Sequence, residues 1–284
     1  MLNKLIITGA ALFVAVPAAA APIASSAASD LAVDIAIAQV VNAGVGPLSS
    51  ASGSTASGDY TSADAVARVE ASLDLLSAGL IESRLDLGTG INSVTAGGQA
   101  SGPSSSASAL VNGLSFSFTN SLFGLDLPSL LTVSASTISS NSSASGAGGV
   151  LNTSGDSTIE DLSLSGALLA GINIDLGAII DGAANTVLLD SDILGLRITA
   201  NEQITLGDGV TSTGIETNAL RITLSDFLLN GGLLNGDIYI GRSRAFAELG
   251  EAAADVPAPG AIGLFGLGML GIAGWHRRRR TAAA

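Results

Sequence analysis

The residues best equipped for chemistry in this 284-residue chain are its carboxylates. Glu160-Asp161, the Asp190-Ser191-Asp192 triplet, Glu202 and Asp208 are the candidates. Two carboxylates about 5 to 9 Å apart hydrolyse a glycosidic bond, one as acid and the other as base or nucleophile. With 24 acids in the chain, some pairs fall near one another by chance. Sugar clefts also use aromatic platforms, and here there are one Trp, two Tyr and seven Phe. Calcium is the second reading: Asp190, Asp192 and the Asp208-Gly209 turn supply hard oxygen ligands. The D-x-D-x-D-G spacing of an EF-hand loop is missing, so solvated strand ends explain the same residues. Asn201-Glu202-Gln203 reads as a polar binding spot or, more simply, as a wet strand edge. Arg242 and Arg244 share one strand face and are placed to pair with acids on a neighbouring strand. Gly207-Asp208-Gly209 is no phosphate loop, because no Gly-Lys-Ser/Thr follows it.

Other chemistry is excluded by composition. There is no cysteine, and the only histidine is His276. Thiol nucleophiles, disulfides, Cys/His zinc sites and a Ser-His-Asp triad in the body are ruled out. No residue pattern calls for a cofactor. The formal charge is −13, and its distribution matters more than its size. Lys4 and Arg277–Arg280 sit at the two ends, so the six arginines between Asp30 and Asp255 face all 24 acids and leave −18 there. Such a body repels phosphate backbones, and nucleic acid is not an expected partner.

The elements that hold these residues are predominantly strands. Leu85 and Leu87 alternate with Arg84 and Asp86; Leu114, Phe116 and Phe118 alternate with Ser115, Ser117 and Thr119. The same period of two runs through Leu162–Ser165, Ile172–Asp175, Leu196–Thr199, Leu220–Thr223 and Ile238–Ile240. Period two buries one face and wets the other, as antiparallel strands do. Ala63–Leu80 and Leu31–Val41 also suit a helix. Between the runs, Gly44–Gly58, Gly97–Ser106, Ser139–Gly149 and Asn152–Asp156 are Gly/Ser-rich or polar and read as loops. Gly207–Gly209 and Asn230–Gly232 read as hairpin turns. The expectation is an all-β, antiparallel domain over residues 31–249, sandwich-like or solenoid-like, followed by a linker at 251–255.

Both ends carry targeting signals. Lys4 precedes the apolar run Leu5–Val16, and Ala18 and Ala20 fit an A-x-A cleavage site. Residues 1–20 therefore read as a signal helix for the Sec translocon and signal peptidase. The apolar run is about 12 residues, short of the roughly 20 that span a bilayer. At the other end, Val256-Pro257-Ala258-Pro259 leads into an apolar segment ending at Trp275, then His276 and Arg277, Arg278, Arg279 and Arg280. Val256 to Trp275 is about 20 residues, or about 30 Å as a helix, which matches the hydrocarbon thickness. The four arginines form a basic stop held on the cytoplasmic side. The fold expectation thus includes a C-terminal transmembrane helix.

The order of proline hinge, apolar helix and arginine cluster over residues 256–280 resembles the PEP-CTERM tail of Gram-negative bacteria, with Ala258 where the usual core has glutamate. The resemblance implies an exosortase as partner and a cut near the proline hinge. It also implies a route through an inner-membrane intermediate to the cell surface or beyond, with an exopolysaccharide matrix as destination. The body is similar to the choice-of-anchor P family from about Gly79 to Ala247. The residues that carry this likeness are Ser157–Leu164, Asn201-Glu202-Gln203, Thr217–Ile222 and Ile240–Ala245. It implies an exported surface domain and carries over no catalytic residue. The leading expectation is a non-enzymatic structural or adhesive surface protein; a glycan- or calcium-binding module and a secreted hydrolase are the rivals.

Overall fold

The computed structural model of the chain describes residues 23–249 apart from 38–40, 79–80, 173, 175, 177–181 and 230–231. The expected signal helix at 1–20, the linker at 251–255 and the transmembrane helix at 256–280 lie outside the described residues. Among those described, no helix is long and apolar enough to cross a membrane. The described residues form sixteen strands. The first seven are β1 (Ala24–Ile37), β2 (Val41–Val45), β3 (Ser50–Ser54), β4 (Tyr60–Val66), β5 (Val69–Ala78), β6 (Ile81–Thr89) and β7 (Asn92–Gln99). Next come β8 (Ser104–Leu122), β9 (Leu125–Asp126), β10 (Leu131–Ser145), β11 (Asn152–Glu160) and β12 (Ser163–Ser165). The last four are β13 (Thr186–Ser191), β14 (Leu196–Leu206), β15 (Ser212–Leu229) and β16 (Gly232–Glu248).

These strands pair antiparallel throughout. One seven-stranded sheet runs β13-β14-β15-β16-β1-β2, with β3 also on β1. The second, nine-stranded sheet runs β11-β10-β8-β6-β5, with β7 bridging β8 and β4, β12 on β10 and β9 on β8. β8 and β10 pack across β16, which makes the body a sandwich rather than a solenoid. Long central strands meet two short strands end to end: β8 pairs β7 and then β6, β10 pairs β11 and then β12, and β1 pairs β3 and then β2.

Those breaks share one level, and the burial pattern changes hand there. On β8 the buried positions are Ser105, Ala107, Ala109 and Val111, then Leu114, Phe116 and Phe118. The parity shifts across Asn112-Gly113, with Gly113 at φ 60°. β10 shifts between Ala135 and Ile138 and β16 between Ile240 and Ser243, while on β1 the shift comes where Asp30 and Leu31 are buried in succession. Because side chains alternate with period two, two consecutive residues facing the same way flip every later residue to the other face. The neighbouring strands flip in concert, so pairing continues on both sides: Ser29 opposes Arg242 and Leu31 opposes Ile240, while Asn218 opposes Arg242 and Leu220 opposes Ile240. Asn201 (φ 48°) on β14, Gly241 (φ 63°) on β16 and Asp161 (φ 53°) after β11 take the left-handed backbone this belt requires.

The belt separates two kinds of interior. On one side lies a bulky core of Leu, Ile, Val and Phe, including Leu31, Ile35, Leu85, Ile198, Leu220 and Ile222. Phe116 and Phe118 meet edge to face at 5.2 Å, and Phe118 stacks on Phe227 of the facing sheet at 5.6 Å. On the other side the interior is small: Ala28, Ala51, Val94, Ala96, Ala107 and Ala109 form one cluster and Ala24, Ala144, Ala245 and Ala247 another. Here the sheets touch through hydroxyls. Ser142 Oγ lies 3.0 Å from Thr217 Oγ1 and 2.9 Å from Ser243 Oγ. Side chains this short meet only where the sheets come closer than the about 10 Å of ordinary sandwiches.

This thin half overturns several loop expectations. Ser139–Ser145 lies in β10, Asn152–Asp156 in β11, Gly97–Gln99 in β7, Ser104–Ser106 in β8 and Ser50–Ser54 in β3. Gly and Ser are poor strand formers in isolation, but two closely approaching sheets leave room for nothing larger. Ala63–Val66 and Val69–Ala78 are strand, not helix, and Leu31–Ile37 belongs to β1, which starts at Ala24 rather than at Leu31. Ile172 and Ile174 are not in a strand; both pack against the bulky core beyond a short 3-10 turn at Ala167–Leu169. Gly207–Gly209 does turn the chain from β14 to β15, whereas residues 230–231 of the expected Asn230–Gly232 turn lie outside the described residues.

Candidate functional site

The carboxylates do not converge. Asp190 on β13 sits opposite Arg197 on β14, 4.0 Å from its guanidinium. Asp192 follows in the turn to β14, and the two acids border a shallow hollow of about 310 Å³ that Arg197 also lines. A fixed cation at that position opposes a second one. Asp208 lies beyond the far end of β14, a strand of 11 residues or roughly 35 Å, so it cannot share an ion with Asp190. Its carboxylate is used within its own turn. Thr211 Oγ1 donates at 2.7 Å, and the amides of Val210, Thr211 and Ser212 donate at 2.8–2.9 Å. These hydrogen bonds, the Thr211 hydroxyl first, hold the Asp208 carboxyl well below the usual carboxylate range. Among the described residues no group of three or more acids or histidines is placed to hold a metal. Glu160 closes β11 and Asp161 forms the bend before β12.

A group of charges assembles on the outer face of the seven-stranded sheet, next to the belt. Arg221 on β15 bridges Glu202 on β14 at 2.7 Å and Asp237 on β16 at 2.9 Å. Thr223 Oγ1 donates to Asp237 at 2.8 Å, and Asn218 Nδ2 donates to Glu202 at 2.8 Å. Arg242 pairs with Glu216 at 2.8 Å. The Tyr239 ring is flanked by both guanidiniums, Arg221 at 5.3 Å and Arg242 at 5.2 Å, within cation–π range. Burial raises the Asp237 carboxyl, but hydrogen bonds from Arg221 and Thr223 and the Arg221 charge outweigh it and leave the group below its ordinary pKa. Burial and the Asp237 charge push the Tyr239 hydroxyl up. Every carboxylate in this network already has a donor. The network ties three strands together where their faces switch.

A second polar tie crosses the sandwich at the same level. Asp30, wholly buried on β1, accepts from the amides of Leu31 at 2.6 Å and Ser49 at 2.9 Å and from Asn92 Nδ2 of the opposite sheet at 3.0 Å. Asn92 also donates to Thr89 at 3.0 Å, so one side chain spans the break between β6 and β7. These belt residues escaped the carboxylate-by-carboxylate reading of the sequence. Their signal is the break in the alternation: two polar or small residues between buried ones at Val111-Asn112-Gly113-Leu114, and two adjacent buried residues at Asp30-Leu31.

The outer face of the thin half offers a different surface. Ends of β4, β7, β8, β10 and β11 enclose a concavity of about 740 Å³ lined by Ser, Thr, Asn, Gln and Gly, with Tyr60 and Asp59 on one side. Tyr60 lies over Gly53 and Gly98, where a Cβ would fall 2.1 and 2.4 Å from its ring. Its hydroxyl bonds Ser26 Oγ at 2.7 Å. Burial raises the Tyr60 pKa, and the bond to Ser26 works against that rise.

Beyond the body, comparison with protein families identifies the C-terminus. Residues 255–280 match the model described as the PEP-CTERM protein-sorting motif. The tail is a PEP-CTERM sorting signal. The match covers Val256, Pro257, Ala258 and Pro259, the apolar segment and Arg277–Arg280, which lie outside the described residues. A PEP-CTERM signal implies export, processing by an exosortase and membrane-associated sorting toward the cell surface. No curated protein and no solved structure matches the chain.

Proposed function

We propose that this chain is an exported, non-enzymatic β-sandwich with a structural or adhesive role at the bacterial surface, delivered through its PEP-CTERM tail into an exopolysaccharide matrix. The match over residues 255–280 carries the reading. In the proposed route, the Sec translocon exports the chain and signal peptidase cuts after the Ala18-x-Ala20 site. Val256–Trp275 then holds the body at the inner membrane with Arg277–Arg280 inside, until exosortase acts at the proline hinge. The proline pair suits that step, because it lacks amide donors and keeps the segment extended.

A passive role for the body is supported by the state of its acids. Glu202, Glu216 and Asp237 are taken by arginines, Asp208 by its own turn and Asp30 by amides. Kinship with the choice-of-anchor P family remains part of this proposal. What supports it is that the four segments carrying the likeness meet in one region of the fold. Asn201, Ala219, Gly241 and Asp161 all lie at the belt, and Glu202, Arg221 and Arg242 all join the surface network. The test is a Pro257→Ala/Pro259→Ala double variant expressed in the native cell. Accumulation of the full-length protein in the inner membrane, with the surface fraction depleted, is expected. Undiminished surface delivery of the variant contradicts the reading.

A further inference from the structure

Small residues on the inner faces of the thin half are explained by the opposing sheet. Small residues on the outer face of the same strands are explained by nothing among the described residues. One row across four strands reads Gly97, Ser106, Ser143 and Ser154, each opposite the next in register. The row toward the chain ends carries Gln99, Ser104, Ser145 and Asn152 in the same way. Wet strand positions readily accept Thr, Tyr or other large side chains, which are better strand formers than Ser, Gly or Asn. Glycine inside a strand marks a place where another body comes close to the backbone. The rows floor the 740 Å³ concavity described above, with strands about 4.8 Å apart and successive outward residues about 6.8 Å apart.

The chemistry of that floor selects its occupant. Serine hydroxyls both donate and accept, and Asn and Gln do the same through their amides. Among the described residues no lysine or arginine lines the concavity, which disfavours an anionic polymer, and the one acid there, Asp59, is held by the Ala100 amide at 2.7 Å. Ala144 is the only aliphatic side chain among those described lining residues, so the surface offers little for an apolar protein partner or a lipid. Alternating donors and acceptors on a concave, shallow, nearly uncharged surface match a chain of sugar hydroxyls. We propose that the outer face formed by β7, β8, β10 and β11 in the thin half binds an uncharged polysaccharide lying across the strands. This inference rests on the surface-protein reading above and assigns that reading its contact face.

Affinity electrophoresis of the mature chain tests it, in gels containing dextran, galactomannan or xyloglucan as neutral polymers and alginate as an anionic one. Retardation by at least one neutral polymer and none by alginate is expected. The Ser106→Lys/Ser143→Lys variant, changed only at exposed strand positions, is expected to weaken that retardation by about tenfold or more, which corresponds to about 1.4 kcal/mol. Ser115→Lys, on the outer face of the bulky half, is the control and is expected to bind as the unaltered chain does. Circular dichroism and urea midpoints of all three proteins establish that they are folded. Equal retardation of the double variant and the control overturns the assigned face while leaving matrix association standing. Absence of retardation by every neutral polymer overturns the inference and removes matrix binding by the body from the proposed function, with sorting by the tail untouched. A dimer that sedimentation shows to be broken by Ser106→Lys/Ser143→Lys, without glycan binding, also overturns it and makes the face a contact between copies.

Discussion

The two halves of this sandwich are made by the same strands and held by different forces. β8 runs through both. On one side of Gly113 it buries Leu114, Phe116 and Phe118 in a core that removes large apolar side chains from water. On the other it buries Ser105, Ala107 and Ala109, which remove little apolar area and depend on close approach. In the thin half, inter-sheet hydrogen bonds do part of what bulk does in the other. Ser142 reaches Thr217 and Ser243, and Ser105 Oγ donates to the Phe246 carbonyl at 2.8 Å while accepting from the Phe246 amide at 3.0 Å. The lesson is that a low-aromatic, Gly/Ser-rich strand is no weaker a strand when its partner sheet lies near enough.

Substitutions sharpen that contrast, because the two halves fail in opposite directions. Phe116→Ala, fully buried in the bulky half, empties a large site beside the Phe118 ring and is expected to cost about 3 to 5 kcal/mol by urea denaturation. On the same strand in the thin half, the informative change is enlargement. Ala109→Leu forces extra carbons between closely spaced sheets and is expected to cost about 1 to 3 kcal/mol. If Ala109→Leu is neutral or stabilising, the halves do not differ in spacing and the comparison fails. At the belt, Gly241→Ala puts a Cβ into a backbone at φ 63°, 3.3 Å from Ala219 and Ile138, and is expected to cost about 1 to 2 kcal/mol. Near-equal stability of that variant means the strands need no left-handed residue to change faces.

The smallest effect concerns the surface network. Asp237→Asn is expected to change stability at pH 7 by about 1 kcal/mol or less, since the ion pair is partly exposed. Its signature is in the pH profile. The folded-state pKa of Asp237 is depressed, so its stabilisation is complete above the unfolded value of about 3.9 and is lost as pH falls through the lower folded value. The unaltered chain should therefore lose more stability between about pH 4 and pH 2 than Asp237→Asn does. Equal acid limbs in the two proteins would mean that Arg221 does not hold Asp237 ionised.

What the sequence revealed follows the same divide. In the bulky half, alternation of Leu, Ile and Phe with Ser, Thr and Arg made the strands around Phe116, Ile198, Ile222 and Ile238 legible. In the thin half, both faces are small, so Ser139–Ser145 and Asn152–Asp156 showed no contrast between wet and dry and read as loops. Closeness of a second sheet is a tertiary fact that local composition does not announce. The belt was present in the sequence as paired interruptions, but each looked like a local irregularity until neighbouring strands placed them in one row. Candidate ligands such as Asp190 and Asp208 were identified by type, while their separation along β14 required the register. The tail was the most legible part, because its three elements are contiguous in sequence and need no fold to bring them together.

Intact mass spectrometry of the protein recovered from the surface fraction, in cells with and without the exosortase, tests the central claim most directly. With the enzyme present, the account predicts a chain starting near Ala21 and ending near Pro257, without Arg277–Arg280; without the enzyme, the basic tail remains attached. A surface-recovered chain that keeps Arg277–Arg280 in both strains would contradict it.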